Sequence, residues 1–194
     1  MSGFSTARQK MVDGQVRPSD VTDIRIIDAM LAVPREAFVP DNKRALAYLD
    51  LDLDVTEAGS AGQFLIKPAV LAKMLQAAEI KETDHVLVIG CAGGYAAAVI
   101  GHFAGKVDNT ASADGDAANA PFDVIVLNGA TEIVPEKLCG QLRDGGRLVG
   151  VFAMSQPARA TIVTRSHGDF GNRALFDATA PVLAGMERLP AFVF

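Results

Sequence analysis

The segment from Val86 to Tyr95, VLVIGCAGGY, constrains the fold of this chain more than any other stretch. The run Val86–Ile89 is short and apolar, which is typical of a strand buried on both faces of a sheet. It breaks directly into the glycine turn (residues 90–94), and the alanine-rich segment that follows is typical of a helix. A strand, a glycine turn and a helix in this order predict one unit of a parallel α/β sheet.

Two further apolar runs have the same character. They are FDVIVLNG (residues 122–129) and GGRLVGVFAM (residues 145–154). A helical pattern at residues 67–80 precedes the run Val86–Ile89, and further helical patterns separate the three runs. We therefore predict a doubly wound, mostly parallel, Rossmann-like sheet with crossover helices. Two β-rich runs after residue 158, around a Gly171-Asn172 turn, predict antiparallel strands at the carboxyl-terminal end of the chain.

The first 60 residues have a different pattern. Residues 6–16 and 19–33 place apolar side chains at helical spacing, and Pro34 ends the second helix. Residues 48–58, YLDLDLDVTEA, alternate leucine with aspartate, which predicts a half-buried strand with a solvated acidic face. We expect a single domain over residues 1–194, with residues 1–60 as a helical and extended segment packed on it.

Composition narrows the class of function. The chain is 49% hydrophobic and 21% charged, with a net charge of −5. This balance favours a soluble globular protein and disfavours a nucleic-acid partner. We expect a cytoplasmic protein without a membrane span or signal peptide, because no apolar stretch is long enough. The scattered cysteines and histidines predict no metal site.

The glycine turn has a spacing that bears on its ligand. Gly90, Ala92 and Gly94 give G-x-A-x-G, which is not the G-x-G-x-x-G of dinucleotide sites and is closer to the loop that binds S-adenosylmethionine. Such a turn brings backbone and helix N–H groups close to a cofactor. The alternative is a plain glycine turn between a strand and a helix.

Five segments occur in a characteristic order and spacing: AVPREAFVP (32–40), the loop 62–68, VLVIGCAGGYAAAVI (86–100), APFDVIVLNGA (120–130) and PEKLCGQLRDGGRLV (135–149). Together they resemble one family, the protein-L-isoaspartate O-methyltransferases. The closing segment, residues 175–194, is similar to the carboxyl terminus of bacterial members. The resemblance covers nearly the whole chain.

The resemblance implies a class I methyltransferase fold and S-adenosylmethionine as methyl donor. The implied reaction is methylation of an isoaspartyl carboxylate in damaged proteins, a step of protein repair. It requires alignment more than acid–base catalysis. It implies cofactor contacts at Gly90, Cys91, Ala92, Gly94, Tyr95 and Asn128. It also implies an acceptor loop formed by Gln63, Phe64, Leu65 and Ile66.

The chain departs from the family pattern at both loops. Val88 stands where the family has an acid that helps to hold the cationic end of the cofactor, and Ala92 replaces a glycine. In the acceptor loop the chain has GQFLIKP where the family commonly has GQTISQP. These changes predict weaker cofactor binding and an altered acceptor site.

The largest departure is the short interval before Phe122. After a helix over residues 94–105, only sixteen residues remain, and they are rich in small polar types. A strand, a helix and another strand do not fit into this length, so the sequence predicts a loop and the loss of the second and third strands. Val86–Ile89 would then be an edge strand that needs cover, for example in a homodimer through this strand.

Two questions stay open at the level of sequence. Asp108, Asp114 and Asp116 are either substitutes for the family's ribose-binding acid or solvated loop residues. The chain itself is either an isoaspartyl methyltransferase or a catalytically inactive binding or scaffold protein that kept the fold and lost the cofactor.

Overall fold

The computed structural model describes residues 3–56, 62–90 and 94–189. The α-helices of this part are α1 (Gly3–Met11), α2 (Ile24–Ala32), α3 (Pro68–Ala78), α4 (Tyr95–Ile100) and α5 (Glu136–Cys139). A π turn (Val12–Val16) and three 3₁₀ turns (Arg17–Ser19, Arg35–Phe38, Asp41–Leu46) connect the amino-terminal helices. The strands are β1 (Leu53–Asp54), β2 (Phe64–Leu65), β3 (His85–Ile89), β4 (Lys106–Thr110), β5 (Phe122–Thr131), β6 (Leu142–Phe152), β7 (Arg159–Ser166) and β8 (Asp169–Asp177).

Six strands form one twisted sheet in the order β4-β3-β5-β6-β7-β8. The pairs β4-β3, β3-β5 and β5-β6 are parallel, and β6-β7 and β7-β8 are antiparallel. The apolar runs of β3, β5 and β6 are buried on both faces, because helices and turns cover both sides. The predicted α/β class is therefore confirmed, with antiparallel strands at the carboxyl-terminal end.

The prediction that the second strand is lost is wrong. Residues 106–110 form β4, which pairs in parallel with β3 from His85↔Lys106 to Ile89↔Thr110. Residues 90–105 are long enough for the crossover from one parallel strand to the next. What the chain lacks is a helix and strand after β4, since residues 111–121 run directly to β5.

Because β4 and β5 flank β3, the prediction that Val86–Ile89 is an edge strand is also wrong. The backbone groups of β3 are paired on both sides within one chain. A homodimer through this strand is therefore excluded. The edge of the sheet is β4, whose side chains are partly or fully exposed and include Lys106 and Asp108.

The connection from β4 to β5 is anchored by one glutamine. The Gln141 side chain accepts a hydrogen bond from the N–H of Asp116 (2.9 Å) and donates one to the carbonyl of Asp114 (2.6 Å). The Lys137 Nζ lies 2.7 Å from an Asp114 carboxylate oxygen. These contacts hold residues 114–116 against the segment that leads from α5 to β6.

The amino-terminal segment packs on α3, α4 and one face of the sheet. Its buried apolar side chains belong to the same cluster as Leu71, Val88 and Val99. Arg8 of α1 donates hydrogen bonds to the Tyr48 hydroxyl (3.0 Å) and to the carbonyl of Leu31 (3.0 Å). Burial, together with the hydrogen bond to Glu36, raises the pKa of Tyr48 to about 12. Tyr48 therefore remains a neutral donor at physiological pH.

The strand predicted over residues 48–58 is much shorter. Only Leu53 and Asp54 are extended in a ladder, paired antiparallel with β2. The aspartates are not a uniform solvated face. Asp52 accepts a hydrogen bond from the Lys67 N–H (2.9 Å), and the side chain of Lys43 contacts Asp54.

The carboxyl-terminal strands form a hairpin whose turn differs from the prediction. Ser166 pairs with Asp169, so the turn is His167-Gly168, both with positive φ (52° and 90°). Gly171 and Asn172 lie within β8. A two-residue turn with both φ values positive follows the twist of the two strands, which is why it replaces the expected Gly-Asn turn.

No helix in the described ranges has the length and apolar character needed to cross a bilayer.

Candidate functional site

The carboxyl ends of β3, β4 and β5 meet at one edge of the sheet, where α/β sheets of this type bind ligands. Gly90 follows β3 with φ +71°, and its N–H donates to the carbonyl of Thr110 at the end of β4 (2.9 Å). Gly94, with φ +89°, caps α4. Among the described residues, the nearest neighbour of a Cβ at Gly94 would be the Phe38 ring edge, at 4.0 Å. These residues therefore leave the backbone at Gly94 accessible to a ligand.

Cys91 and Ala92, two of the predicted cofactor contacts, lie outside the described residues.

Asn128 connects the two loops of the candidate site. It lies in β5 and is 2% exposed, and its Nδ2 donates to the carbonyl of Phe64 (3.0 Å) and to the carbonyl of Gly90 (3.1 Å). The first carbonyl belongs to the acceptor loop and the second to the glycine turn. One side-chain amide thus fixes the distance between the two predicted halves of the site.

The acceptor loop presents only part of itself to solvent. The side chains of Leu65 and Ile66 are each 1% exposed and belong to the core, whereas Gln63 and Phe64 are partly exposed. The Gln63 N–H donates to the hydroxyl of Thr56 (2.8 Å). The apolar replacements at Leu65 and Ile66 therefore fill the core, and the open side of the loop consists of backbone together with Gln63 and Phe64.

Tyr95, a further predicted cofactor contact, is a packing residue at the start of α4. It is buried, its ring meets that of Phe38 edge-on at 5.6 Å, and the Arg35 guanidinium lies 4.8 Å from its ring centre. Burial raises the pKa of Tyr95, and its hydroxyl has no hydrogen-bond partner among the described residues. The structure brings Tyr95 beside the glycine turn with its side chain directed into the core.

Arg35 is a site residue that sequence reasoning missed. It lies in the AVPREAFVP motif, which served only to identify the resemblance, and its guanidinium reaches the carbonyls of Ala47, Leu65 and Ile66. Burial lowers the pKa of Arg35. The one sequence signal that could have indicated a buried arginine is its position in a mostly apolar segment between two prolines, Pro34 and Pro40.

The carboxyl-terminal segment forms a wall of the site, which the sequence did not predict either. The segment forms two backbone hydrogen bonds with Ala130 of β5. The Ala130 N–H donates to the carbonyl of Pro181 (2.8 Å), and the Leu183 N–H donates to the carbonyl of Ala130 (2.9 Å). The Leu183 side chain covers Gly90 and Gly129, and a Cβ at Gly129 would lie 2.6 Å from Leu183 Cδ2. Packing against Leu183 therefore favours glycine at both positions.

The acids considered for the ribose do not occupy the end of β4. Asp108 lies inside the strand and meets His85 Nε2 (2.7 Å) and Lys106 Nζ (3.0 Å). Burial raises its pKa, but the hydrogen bonds from His85 and Lys106 outweigh that effect, so the pKa of Asp108 is lowered. Asp108 as a ribose-binding acid is therefore wrong, and so is the reading of Asp108 as a solvated loop residue.

The other two acids lie further along the connection. Asp114 pairs with Lys137, and Asp116 accepts from the Asn119 side chain (2.8 Å). The polar groups immediately at the end of β4 are Thr110 and Ser112. Val88, at the position of the family's acid, is fully buried in the apolar cluster. The site thus fits an S-adenosylmethionine-type cofactor at the glycine turn and differs from the family pattern at the ribose end.

Residues 3–56, 62–90 and 94–189 contain no group of three or more His, Cys, Asp or Glu side chains placed to hold a metal ion.

A Rossmann-like sheet with a glycine turn after its first central strand, and a second loop fixed beside Gly90, is typical of α/β proteins that bind nucleotide-type cofactors, and the class I methyltransferases are one class of them. The family model for protein-L-isoaspartate(D-aspartate) O-methyltransferase matches residues 6–114 and 106–170. The chain belongs to this family.

Individual relatives agree with this assignment. A protein-L-isoaspartate O-methyltransferase from Rhodopseudomonas palustris is 35% identical over 206 residues, covering 91% of this chain and 93% of the relative. One from Koribacter versatilis is 34% identical over 214 residues, covering 96% and 95%.

Solved structures share the fold. A protein-L-isoaspartate O-methyltransferase superposes with a TM-score of 0.78 at 21% identity, covering 92% of this chain and 66% of its own. A beta-aspartate methyltransferase from Plasmodium falciparum, in complex with S-adenosyl-L-homocysteine, has a TM-score of 0.74 at 13% identity and covers 94% of this chain and 99% of its own. At these identities the likeness is one of fold.

The comparisons also locate the shortened interval. The two matches of the family model overlap at residues 106–114, so this stretch serves as the end of one match and the start of the next. The alignments of 206 and 214 residues exceed the 194 residues of this chain. The relatives therefore have positions with no counterpart here, and β4 stands where the family model is interrupted.

Proposed function

We propose that this chain is a protein-L-isoaspartate O-methyltransferase, which transfers a methyl group from S-adenosylmethionine to the carboxylate of an isoaspartyl residue in a damaged protein. The observation that carries the proposal is the pair of hydrogen bonds from Asn128 to Phe64 and Gly90. This pair holds the acceptor loop beside the glycine turn, and methyl transfer needs donor and acceptor in a fixed relation.

Methyl transfer requires the protein mainly to position the methyl donor and the acceptor carboxylate. S-Adenosylmethionine supplies an electrophilic methyl group, and the acceptor carboxylate is ionised at neutral pH and needs no base. Orientation and exclusion of water therefore provide most of the rate enhancement. The buried side chains of Leu65 and Leu183 and the partly buried ring of Phe38, beside the two loops, suit a site that excludes water.

The residue assignments follow from this division of labour. We assign cofactor binding to the backbone of the glycine turn, at Gly90, Cys91, Ala92 and Gly94. We assign acceptor binding to the open side of the acceptor loop, at Gln63 and Phe64, whereas Leu65 and Ile66 contribute backbone and core packing. Tyr95 and Asn128 support the two loops from the core side.

The same proposal includes the setting of the protein. We propose a single domain over residues 1–194 that acts in the cytoplasm on isoaspartyl-containing proteins. The net charge of −5 supports a protein without nucleic-acid or anionic-membrane partners.

A methyl-transfer assay with paired peptides tests the proposal. The wild-type chain is incubated with methyl-labelled S-adenosylmethionine and a peptide that contains one L-isoaspartyl residue. The control is the identical peptide with ordinary aspartate. We expect base-labile methyl ester on the isoaspartyl peptide only. Absence of ester on both peptides would favour the inactive scaffold, and equal labelling would favour a different carboxyl acceptor.

A further inference from the structure

Arg35 is buried, and the residues that the structure describes give it no acidic partner. Its exposure is 1%, and none of the ion pairs among the described residues involves it. Its Nη1 has no hydrogen-bond partner within the same ranges. A buried guanidinium without a carboxylate is expensive in stability. This suggests that Arg35 serves the arrangement of its neighbours.

Those neighbours are backbone carbonyls of the candidate site. Arg35 Nη2 donates to Ile66 (2.9 Å) and to Leu65 (3.4 Å), and Nε donates to Ala47 (2.8 Å). Asn128 donates to the preceding carbonyl, that of Phe64. Three consecutive carbonyls of the acceptor loop are therefore each held by a side-chain donor from a distant part of the chain.

The same two side chains also reach the glycine turn. Asn128 donates to the carbonyl of Gly90, the first residue of the glycine turn. The Arg35 guanidinium lies 4.8 Å from the ring centre of Tyr95, the residue that follows the turn. A cation above an aromatic face is an attractive and oriented contact. Apart from these contacts, the ladder partner of β2 within the described ranges is the two-residue strand β1.

We propose that Arg35 is a positioning residue for methyl transfer. Together with Asn128 it fixes residues 64–66 relative to the glycine turn, so that the acceptor carboxylate meets the donor at the correct distance. This inference rests on the proposed function, and it assigns a role to a residue that touches neither substrate nor cofactor.

The test compares two arginine-to-methionine variants. Arg35→Met removes the donors and keeps an unbranched side chain that fills part of the same space. Arg147→Met is the matched control: Arg147 also donates to two carbonyls, those of Ala78 and Glu79, but at the opposite end of α3, and it also pairs with Asp84. Both variants lose hydrogen bonds to two or more backbone carbonyls, and only the first loses them at the acceptor loop.

Three measurements are made on each variant: kcat and KM with the isoaspartyl peptide, the Kd of S-adenosyl-L-homocysteine by calorimetry, and hydrogen exchange of the amides of residues 62–67. For Arg35→Met we expect kcat, corrected for the folded fraction, to fall about 10- to 100-fold, since a misplacement of about 1 Å costs that much. We expect the Kd to change by less than about threefold, and exchange at residues 62–67 to accelerate. For Arg147→Met we expect kcat and this exchange to match wild type.

Several outcomes overturn the proposal: an unchanged kcat in Arg35→Met, an equal loss of kcat in both variants, or unchanged exchange at residues 62–67. If Arg35→Met does not fold, Arg35→Lys replaces it, because it keeps the charge but cannot bond Ala47 and Ile66 together. A kcat within twofold of wild type for that variant also overturns the proposal. If wild type itself transfers no methyl group, the proposed function fails, and the exchange measurement still tests the positioning role.

Discussion

At the scale of single residues, the two glycines of the turn with described structure have different reasons to be glycine. Both have positive φ, which disfavours any side chain. At Gly90 an added Cβ would also collide with the Leu183 side chain, whereas at Gly94 its nearest neighbour among the described residues would be the Phe38 ring at 4.0 Å, an ordinary contact distance. Gly90 is thus fixed by the wall of the site and Gly94 by backbone conformation alone.

This difference predicts unequal effects of alanine substitution. Gly94→Ala should lower the free energy of unfolding by about 1 kcal/mol, the usual cost of a left-handed alanine. Gly90→Ala should lower it by about 2–4 kcal/mol, because overpacking adds to the same cost. Urea denaturation measures both values. In a Leu183→Ala background the excess at Gly90 should shrink, and equal effects of the two single substitutions would show that Leu183 does not cover Gly90.

Asn128 gives a second prediction at this scale. Asn128→Ala leaves the carbonyls of Phe64 and Gly90 without their donor, so the free energy of unfolding should fall by about 1–3 kcal/mol. Activity should fall further than stability does, because both loops lose their common support. Denaturation and kcat, measured on the folded fraction, separate the two effects. A stable variant with full activity would contradict the role assigned to Asn128.

At the scale of elements, β4 is the least expected part of the fold. Its sequence, KVDNT, is polar and short, and it forms a strand because β3 offers a free ladder edge beside it. The ion pair of Lys106 with Asp108 places charges on this exposed edge, which discourages pairing with other chains.

The charge on Asp108 predicts a pH-dependent stability. The hydrogen bonds from His85 and Lys106 lower the pKa of Asp108 in the folded state. They therefore stabilise the fold fully at pH values above 3.8, the pKa of this carboxyl in the unfolded chain. This contribution is lost as the pH falls through the lower folded pKa. Asp108→Asn should therefore cost about 0.5–1 kcal/mol at pH 7 and progressively less below pH ~4. Denaturation curves at several pH values measure it, and a constant difference from pH 7 to pH 2 would contradict it.

The hairpin between β7 and β8 predicts a stabilising substitution. His167 adopts φ 52°, a left-handed conformation that asparagine adopts at a lower energetic cost than histidine. His167→Asn should raise the free energy of unfolding by a few tenths of a kcal/mol, to about 1 kcal/mol. Thermal melting detects this change, and a decrease in Tm would contradict the turn geometry.

Sequence reasoning succeeded where local pattern decides the structure. The apolar runs of β3, β5 and β6 and the glycine turn were predicted because burial on both faces leaves a continuous hydrophobic signature. It failed for β4, because an edge strand lacks that signature. It also missed Arg35 and Leu183, whose contacts join positions far apart in sequence, such as Arg35 and Ile66, which are 31 positions apart. Such contacts leave no local pattern.

At the scale of the whole molecule, the chain is a methyltransferase with a shortened cofactor half. The sheet ends at β4, and Val88 stands where the family has an acid. The end of β4 carries the hydroxyl groups of Thr110 and Ser112 instead of a carboxylate. The glycine turn, the acceptor loop and their common support at Asn128 remain in place. We therefore expect the cofactor to bind, with most of its recognition at the glycine turn.

The central claim is tested most directly by calorimetric titration of the wild-type chain with S-adenosyl-L-homocysteine. A cofactor site that retains the glycine turn predicts one-site binding with a Kd tighter than about 100 μM, or about −5.5 kcal/mol. A titration to millimolar ligand with no heat beyond dilution, at two temperatures, would contradict it and identify the chain as a methyltransferase fold without its cofactor.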